Sequence, residues 1–389
     1  MKIMYINATY KQGSHGMMVS HLHQHMKHLG HQSYVCYGRG KKVKEKGVYK
    51  IASSIEVKMH ALLTRLTGFH GFFSPFSTFK LKRLIKTIKP EIIHIHELHP
   101  YYLNMDAVIK YIKKQNIKTY FTFHSEMMFT GKCGVSQGCN KFEETCNHCP
   151  LVKEYPKSLV FDQVKPMYQW RKKAFKDFNN LTIIAPSQFM INQVKRSFLK
   201  DYPVIHLQNG IDESNFLKSY SSPHKKEYVL AVANKIDFDP IKGFNDLVIL
   251  AKRLEKHEID VVVIGTILKH KDMPKNLILI ERTNNQQTLA SYYQHAIYLI
   301  VTSKSENQPL TIIEALMSKT KVLAYDVGGI KEMADIPMIQ TVPYGKILLI
   351  EALILSEEIQ ISETIAKKAS NPYTLHTFIK NHEKLYFKQ

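Results

Sequence analysis

The stretch Ala296-Ile-Tyr-Leu-Ile-Val-Thr-Ser-Lys-Ser-Glu-Asn-Gln-Pro-Leu-Thr-Ile-Ile-Glu314 runs from an apolar segment of strand length through a polar turn into a helix. Pro309 is expected at the first helical position, where its missing N–H wastes no hydrogen bond. The free amides around Asn307, Gln308 and Leu310 would then point at whatever sits beside Glu306, and a helix N-terminus favours phosphate. Glu314 is expected about one turn further into the helix, placed to accept hydrogen bonds from a neutral polyol. A carboxylate beside a phosphate-favouring helix start suggests a sugar nucleotide. The competing reading is a solvated helix with two surface glutamates, so the rest of the chain has to decide.

The same strand, turn and helix recur in both directions. Lys2 to Ile6 is an apolar strand, followed by the Gly-bearing loop Gln12-Gly-Ser-His-Gly16 and a helical pattern through Met18, Leu22, Met26 and Leu29. Further strand-like runs are Ser33 to Tyr37, Glu91 to His96, Lys118 to His124, Leu181 to Ala185 and Val204 to Leu207. After a polar break at Lys218 to Glu227 the pattern restarts with a strand at Tyr228 to Ala233 and a helix at Phe244 to Leu254. Strands at Asp260 to Gly265, Asn276 to Ile280, Ala296 to Val301 and Lys321 to Tyr325 follow. Alternating strands and helices imply an α/β chain with two parallel-sheet domains. In such sheets ligands collect beyond the carboxyl ends of strands, so a cleft between the domains is the expected site.

Composition narrows the classes. A chain of 389 residues can build two or three domains, and 44% hydrophobic with 22% charged residues reads as globular. No early segment has the basic start and apolar core of a leader, and the apolar run Ile347 to Leu355 carries Glu351 in its middle. A cytoplasmic protein is expected. Fifty-four Lys and Arg against thirty-three Asp and Glu leave a formal charge of +21, which calls for an anionic partner: nucleic acid, an anionic membrane or a phosphorylated substrate.

Taken in order, Gly13 and Gly16, His96-Glu-Leu-His99, Thr122-Phe-His124, Ala185-Pro-Ser187, Asn209-Gly-Ile-Asp212, Lys242-Gly243, the Glu306 to Glu314 spacing and Val327-Gly-Gly329 resemble the retaining glycosyltransferases of the GT-B type. That large family, marked by two glutamates with seven residues between them, includes bacterial capsule and exopolysaccharide transferases. The resemblance implies two Rossmann-like domains facing each other across a cleft. An acceptor-side domain would span 1–217, a nucleotide-sugar-binding domain 218–371, and a helix over 372–389 would cross back to the first domain. It further implies transfer of a sugar from a nucleotide-diphosphate donor to a hydroxyl of a glycan or lipid-linked acceptor in cell-surface polysaccharide synthesis, without a catalytic metal. Glu306 would lie by the transferred sugar, Glu314 would bind the ribose, Lys242 would neutralise the leaving diphosphate, and His124 would face the donor sugar. Gly13 and Gly16 would let the backbone approach the diphosphate. Two departures stand out. Lys235 occupies the region where the family often has an arginine, and lysine cannot grip phosphate bidentately. Asn307 follows Glu306 where glycine is usual. A GT-B epimerase or phosphorylase is the alternative reading, and a polyanion-binding protein a remote one; nucleic acid is not expected.

Other residues keep more than one reading. His96 and His99 end a strand before Pro100, unlike the helical spacing of zinc hydrolases, so they are candidates for lining the cleft. Cys133, Cys139, Cys146 and Cys149 cluster, and the last two have the spacing of a zinc knuckle. A structural zinc, reduced thiols and disulfides all fit that spacing. Met59 to Lys89 mixes apolar and basic residues. Leu81, Leu84, Ile85 and Ile88 read as a helix packed on the sheet, whereas the aromatic, basic segment before them suits an anionic membrane surface and a peripheral position on the inner face of the cell membrane.

Overall fold

The computed structural model describes residues 1–234, 240–266, 273–283, 285–356 and 362–387. The chain divides into two compact units, Met1–Leu207 with Asn381–Gln389, and Gln208–Lys380. The parting falls ahead of the polar break that served as a boundary in the sequence. Asn209 N–H donates to Gln308 Oε1 at 2.7 Å and Ile211 bridges to Thr374, so the intervening residues are already tied into the second unit.

In the first unit the strands are β1 (Lys2–Asn7), β2 (Gln32–Tyr37), β3 (Val48–Lys50), β4 (Ile92–Ile95), β5 (Lys118–Thr122), β6 (Leu181–Ala185) and β7 (Val204–His206). Its helices are α1 (Gly13–His28), α2 (Ser54–Thr67), α3 (Pro75–Ile88), α4 (Met105–Lys114), α5 (Val164–Phe175) and α6 (Gln188–Lys195). The sheet is parallel throughout, in the order β3-β2-β1-β4-β5-β6-β7. The order reverses direction at β1, so the loops after β1 and β4 splay apart there and leave room for a ligand.

The second unit contains β8 (Tyr228–Val232), β9 (Asp260–Gly265), β10 (Leu277–Glu281), β11 (Tyr298–Val301), β12 (Lys321–Tyr325) and β13 (Ile339–Val342). With them are α7 (Phe244–Leu254), α8 (Gln286–His295), α9 (Leu310–Met317), α10 (Ile347–Leu355), α11 (Glu363–Ser370) and the first half of α12 (Leu375–Phe387), whose residues from Asn381 on belong to the first unit. Its sheet is also parallel, ordered β10-β9-β8-β11-β12-β13, and changes direction between β8 and β11. Both faces are apolar, as period-two side chains in a doubly covered sheet require. Leu230, Val262 and Leu299 join one core, while Val229, Val261 and Ile300 join the other. Two parallel α/β sheets of seven and six strands match the fold class expected from the alternating pattern.

Within the first unit Leu81, Ile85 and Ile88 are buried, so that half of α3 packs inward as the sequence suggested. The end of α12 belongs to the same unit. Tyr386 lies buried among Tyr5, His94 and Tyr120, at ring distances of 6.4, 5.8 and 5.7 Å, which explains the large apolar groups near the end of the chain. No described helix is long and apolar enough to cross a membrane.

Candidate functional site

Each unit carries a cluster at the carboxyl ends of its central strands. In the second unit Lys242 precedes Gly243, whose φ of +69° opens α7. A Cβ on Gly243 would stand 2.1 Å from the Thr302 carbonyl oxygen. Thr302, just past β11, donates its hydroxyl to the Lys242 and Gly243 carbonyls at 3.0 and 3.1 Å, and Lys304 N–H donates to Ile241. The Lys-Gly pair is thereby clasped against the exit of β11. The result is an ion pair, Lys242 Nζ to Glu306 Oε1 at 2.6 Å, half-buried.

A second glycine completes the turn. Gly329 N–H donates to the Glu306 carbonyl at 2.9 Å, and a Cβ on Gly328, at φ +53°, would stand 2.1 Å from that same oxygen. Asn307 therefore follows Glu306 in a turn held by the Val327-Gly-Gly329 segment. Pro309 occupies the N-cap position with ψ of 121°, so α9 begins at Leu310 rather than at the proline. Its fixed φ suits either place, and the extended ψ is what excludes it from the helix. Gln308 is buried, and its carbonyl oxygen is committed to Asn209 N–H.

Glu314, on the second turn of α9, accepts a hydrogen bond from the Tyr293 hydroxyl at 2.8 Å. Burial pushes its carboxyl up to about 7, against the opposing pull of that hydrogen bond. Lys235 lies outside the described residues.

In the first unit the cluster is built from histidines. His15 and His124 stack with ring centroids 3.8 Å apart, and His124 Nε2 lies 3.1 Å from His96 Nδ1. His96 adjoins His94, which is held between the Tyr386 and Thr122 hydroxyls. Burial holds the His124, His96 and His94 rings well below the usual imidazole range, with neighbouring imidazoles adding to the effect. These rings are neutral and act as hydrogen-bonding groups. Glu97 Oε1 meets His15 Nδ1 at 2.9 Å. Burial opposes ionisation of Glu97, but the His15 contact prevails and holds its carboxyl near 2. His99 is half-buried, and burial lowers its pKa too. Gly13 and Gly16 are not in a loop. They form the first turn of α1, where Gly13 has φ of +65° and a Cβ on Gly16 would meet the Thr9 hydroxyl at 2.7 Å.

Sequence reasoning passed over Glu97, Tyr293 and the role of Gly328. Glu97 was visible inside His96-Glu-Leu-His99. Tyr293 carries no signal, since α8 reaches Glu314 only through the tertiary fold.

All four clustered cysteines are free. Cys146 accepts from Gly131 N–H at 3.3 Å. Among the described residues no three His, Cys, Asp or Glu side chains are already arranged to hold a metal ion. A buried cation helps organise this loop. Lys132 Nζ donates to the carbonyls of Leu151, Val152 and Glu154 at 3.2, 2.7 and 3.2 Å. Lys132→Met would leave the Glu154 carbonyl without its donor and take one of two hydrogen bonds from the Leu151 and Val152 carbonyls, which keep those from Glu154 and Ser158 N–H; urea titration should show a stability loss of about 2 kcal/mol, and an unchanged midpoint would dismiss the lysine as the staple.

The family described as Glycosyltransferase Family 4 matches residues 16–215, and Glycosyl transferases group 1 matches residues 212–335. The chain is 22% identical over 358 residues to the "Putative colanic acid biosynthesis glycosyl transferase WcaC" of Escherichia coli (strain K12), covering 86% of this chain and 85% of that one. Its fold is similar to sucrose-phosphate synthase from Thermosynechococcus elongatus, with a TM-score of 0.67 at 13% identity over 99% of this chain and 98% of the other. HepE of Anabaena, solved in complex with UDP, gives 0.63 at 13% identity over 99% of each chain.

Proposed function

This chain belongs to Glycosyltransferase Family 4, and from that premise we propose that it moves a sugar, with retention, from a nucleotide-diphosphate donor to a hydroxyl of a glycan or lipid-linked acceptor in cell-surface polysaccharide synthesis. The observation that carries the reading is the Lys242–Glu306 ion pair at the head of β11, on the same strand-turn-helix unit as Glu314. The colanic acid relative and the UDP complex of HepE support the acceptor class and the donor class respectively.

The proposed division of labour follows from the chemistry of each group. Glu314 accepts hydrogen bonds from the ribose hydroxyls. Lys242 and the backbone N–H groups of Asn307 and Leu310, which flank Pro309 at the start of α9, draw charge from the diphosphate as the bond from the sugar's anomeric carbon to the phosphate oxygen breaks. The acceptor oxygen bonds to that carbon on the same face, and its proton passes to a departing phosphate oxygen. Glu306 stands by the sugar and holds the Lys242 ammonium in place. Neutral His124, backed by His96 and His15, offers a hydrogen bond to the sugar without adding charge. Gly13 and Gly16 keep the first turn of α1 clear for the donor. The chemistry asks for no metal. A lipid-linked acceptor suits a peripheral position at the membrane.

The test is calorimetry with UDP-, GDP-, ADP- and CMP-sugars, followed by identification of the anomeric configuration in the product. Absence of binding by every nucleotide sugar would defeat the proposal. Nucleotide release without a glycoside product would favour an epimerase.

Glu314 adds a pH signature. An acid whose pKa rises on folding, here from 4.5 to about 7, holds its proton more tightly when folded. It therefore favours the fold at low pH, and that contribution is lost as pH climbs through about 7. Ribose hydroxyls donating to the ionised carboxylate would pull the pKa back down, so donor binding near neutral pH should release protons. Calorimetry in buffers of different ionisation enthalpy should show a fraction of a proton released by the wild type and none by Glu314→Gln. Equal release by both would remove Glu314 from the ribose.

A further inference from the structure

Helix α2 is inside out. Its buried residues are Glu56, His60 and Thr64, all polar, while Ile55, Met59, Leu62 and Leu66 are exposed. Those four recur at i, i+4, i+7 and i+11, one stripe along the helix, where a helix on the surface of a globular unit ordinarily turns polar groups outward. Each buried polar group has its reason. Glu56 accepts from the Phe76 and Ser77 N–H groups at the start of α3, and His60 bonds to the Ser74 hydroxyl and Gly71 N–H. The inversion is thus built into the packing.

The exposed stripe continues at both ends of α2. At its start, the Glu56 contacts bring the first turn of α3 alongside, and Phe76 and Phe79 there are 79% and 69% exposed. At its end, Leu159 N–H donates to the Arg65 carbonyl, and the Phe161 carbonyl lies against Gly68, so Leu159, Val160 and Phe161 extend the apolar surface. Trp170 stacks on Phe69 at 5.5 Å beside them. From residue 53 to residue 89 the chain has seven Lys and Arg and a single acid, the buried Glu56. Lys58 and Arg65 flank the stripe itself, and Lys80, Arg83 and Lys86 are exposed along α3.

We propose that the composite face of α2, the first turn of α3 and residues 159–161 is a docking surface for an anionic phospholipid bilayer. The large apolar groups enter the interface and the basic residues meet the headgroups. Charge decides the occupant. A surface with exposed lysines and arginines, whose one bordering acid, Asp162, is engaged by the Cys149 and Val164 N–H groups, complements anionic lipid and would repel a second copy of itself. The proposal gives a definite surface to the peripheral position inferred above and rests on that reading only for its biological purpose.

Trp170 is the sole tryptophan of the chain, so the surface carries its own probe. The full chain is mixed with phosphatidylcholine vesicles with and without phosphatidylglycerol. With the anionic vesicles alone, Trp170 emission should shift to the blue and be quenched by brominated lipid, and raising the salt should reverse both. Phe76→Ser with Phe79→Ser, both exposed positions, should weaken vesicle binding ~tenfold or more, while calorimetric binding of a UDP-sugar is unchanged. No shift with anionic vesicles, or undiminished binding by the double variant, would overturn the proposal. So would light scattering that shows a dimer which the double variant dissolves. Failure of every nucleotide sugar to bind would strike the donor reading and leave the vesicle result standing.

Discussion

Lys242→Ala is expected to lower kcat by about 10²- to 10³-fold, the cost of removing one preorganised charge from a site of developing negative charge. In the resting protein Lys242 Nζ sits 2.6 Å from Glu306 Oε1, so its position is set before any donor arrives. An ammonium already oriented costs nothing to reorganise when the diphosphate departs. The substitution also leaves the Glu306 carboxylate uncompensated beside an anionic donor, so KM should rise as well. Glu306→Gln added to Lys242→Ala removes that repulsion and should restore KM toward the wild type while kcat stays low. Initial rates with a UDP-sugar across the three variants separate the two effects. A kcat unchanged by Lys242→Ala would take the lysine out of the leaving-group role.

The strand-turn-helix at 296–314 was legible because strand, turn and helix each had a local signal, and the carboxyl-end site follows from a parallel sheet. The short strands β3 and β13 were not. Three or four residues pair only because a neighbour is already in place, and nothing in Val48–Lys50 differs from a loop. The start of α1 was read several residues late, since Gly13 and Gly16 look like a loop until Thr9 is seen to need the space beside Gly16.

The site divided the same way. Lys242, Glu306 and Glu314 could be picked out by spacing, but what shapes them could not. Tyr293 supports Glu314 from α8, Gln308 turns toward Asn209 rather than toward a ligand, and Glu97 holds His15 against His124. These partners are remote in sequence and leave no periodic trace. The inversion of α2 was hidden for a related reason. Periodicity reports that a helix has an apolar stripe but not which side the fold covers, and only the placement of Glu56 and His60 under α3 settles it.

Gly328→Ala should damage both stability and rate, although Gly328 carries no functional group. Its φ of +53° costs an alanine about 1 kcal/mol. The new Cβ would stand 2.1 Å from the Glu306 carbonyl oxygen, a backbone atom that no rotamer change can move away. Either the Val327-Gly-Gly329 turn withdraws, losing the hydrogen bond from Gly329 N–H, or Glu306 is displaced. Strain and overpacking together should lower stability by about 3 kcal/mol. Displacing Glu306 also moves the partner that orients Lys242, so kcat should fall ~tenfold or more in the molecules that remain folded. Chemical denaturation and initial rates measured on the same preparation test the two halves. Gly345→Ala is the control, because φ is +78° there and a Cβ would meet nothing within 4 Å. If both variants lost the same stability and neither lost activity, the backbone angle alone would account for Gly328 and its contact with Glu306 would carry no catalytic weight.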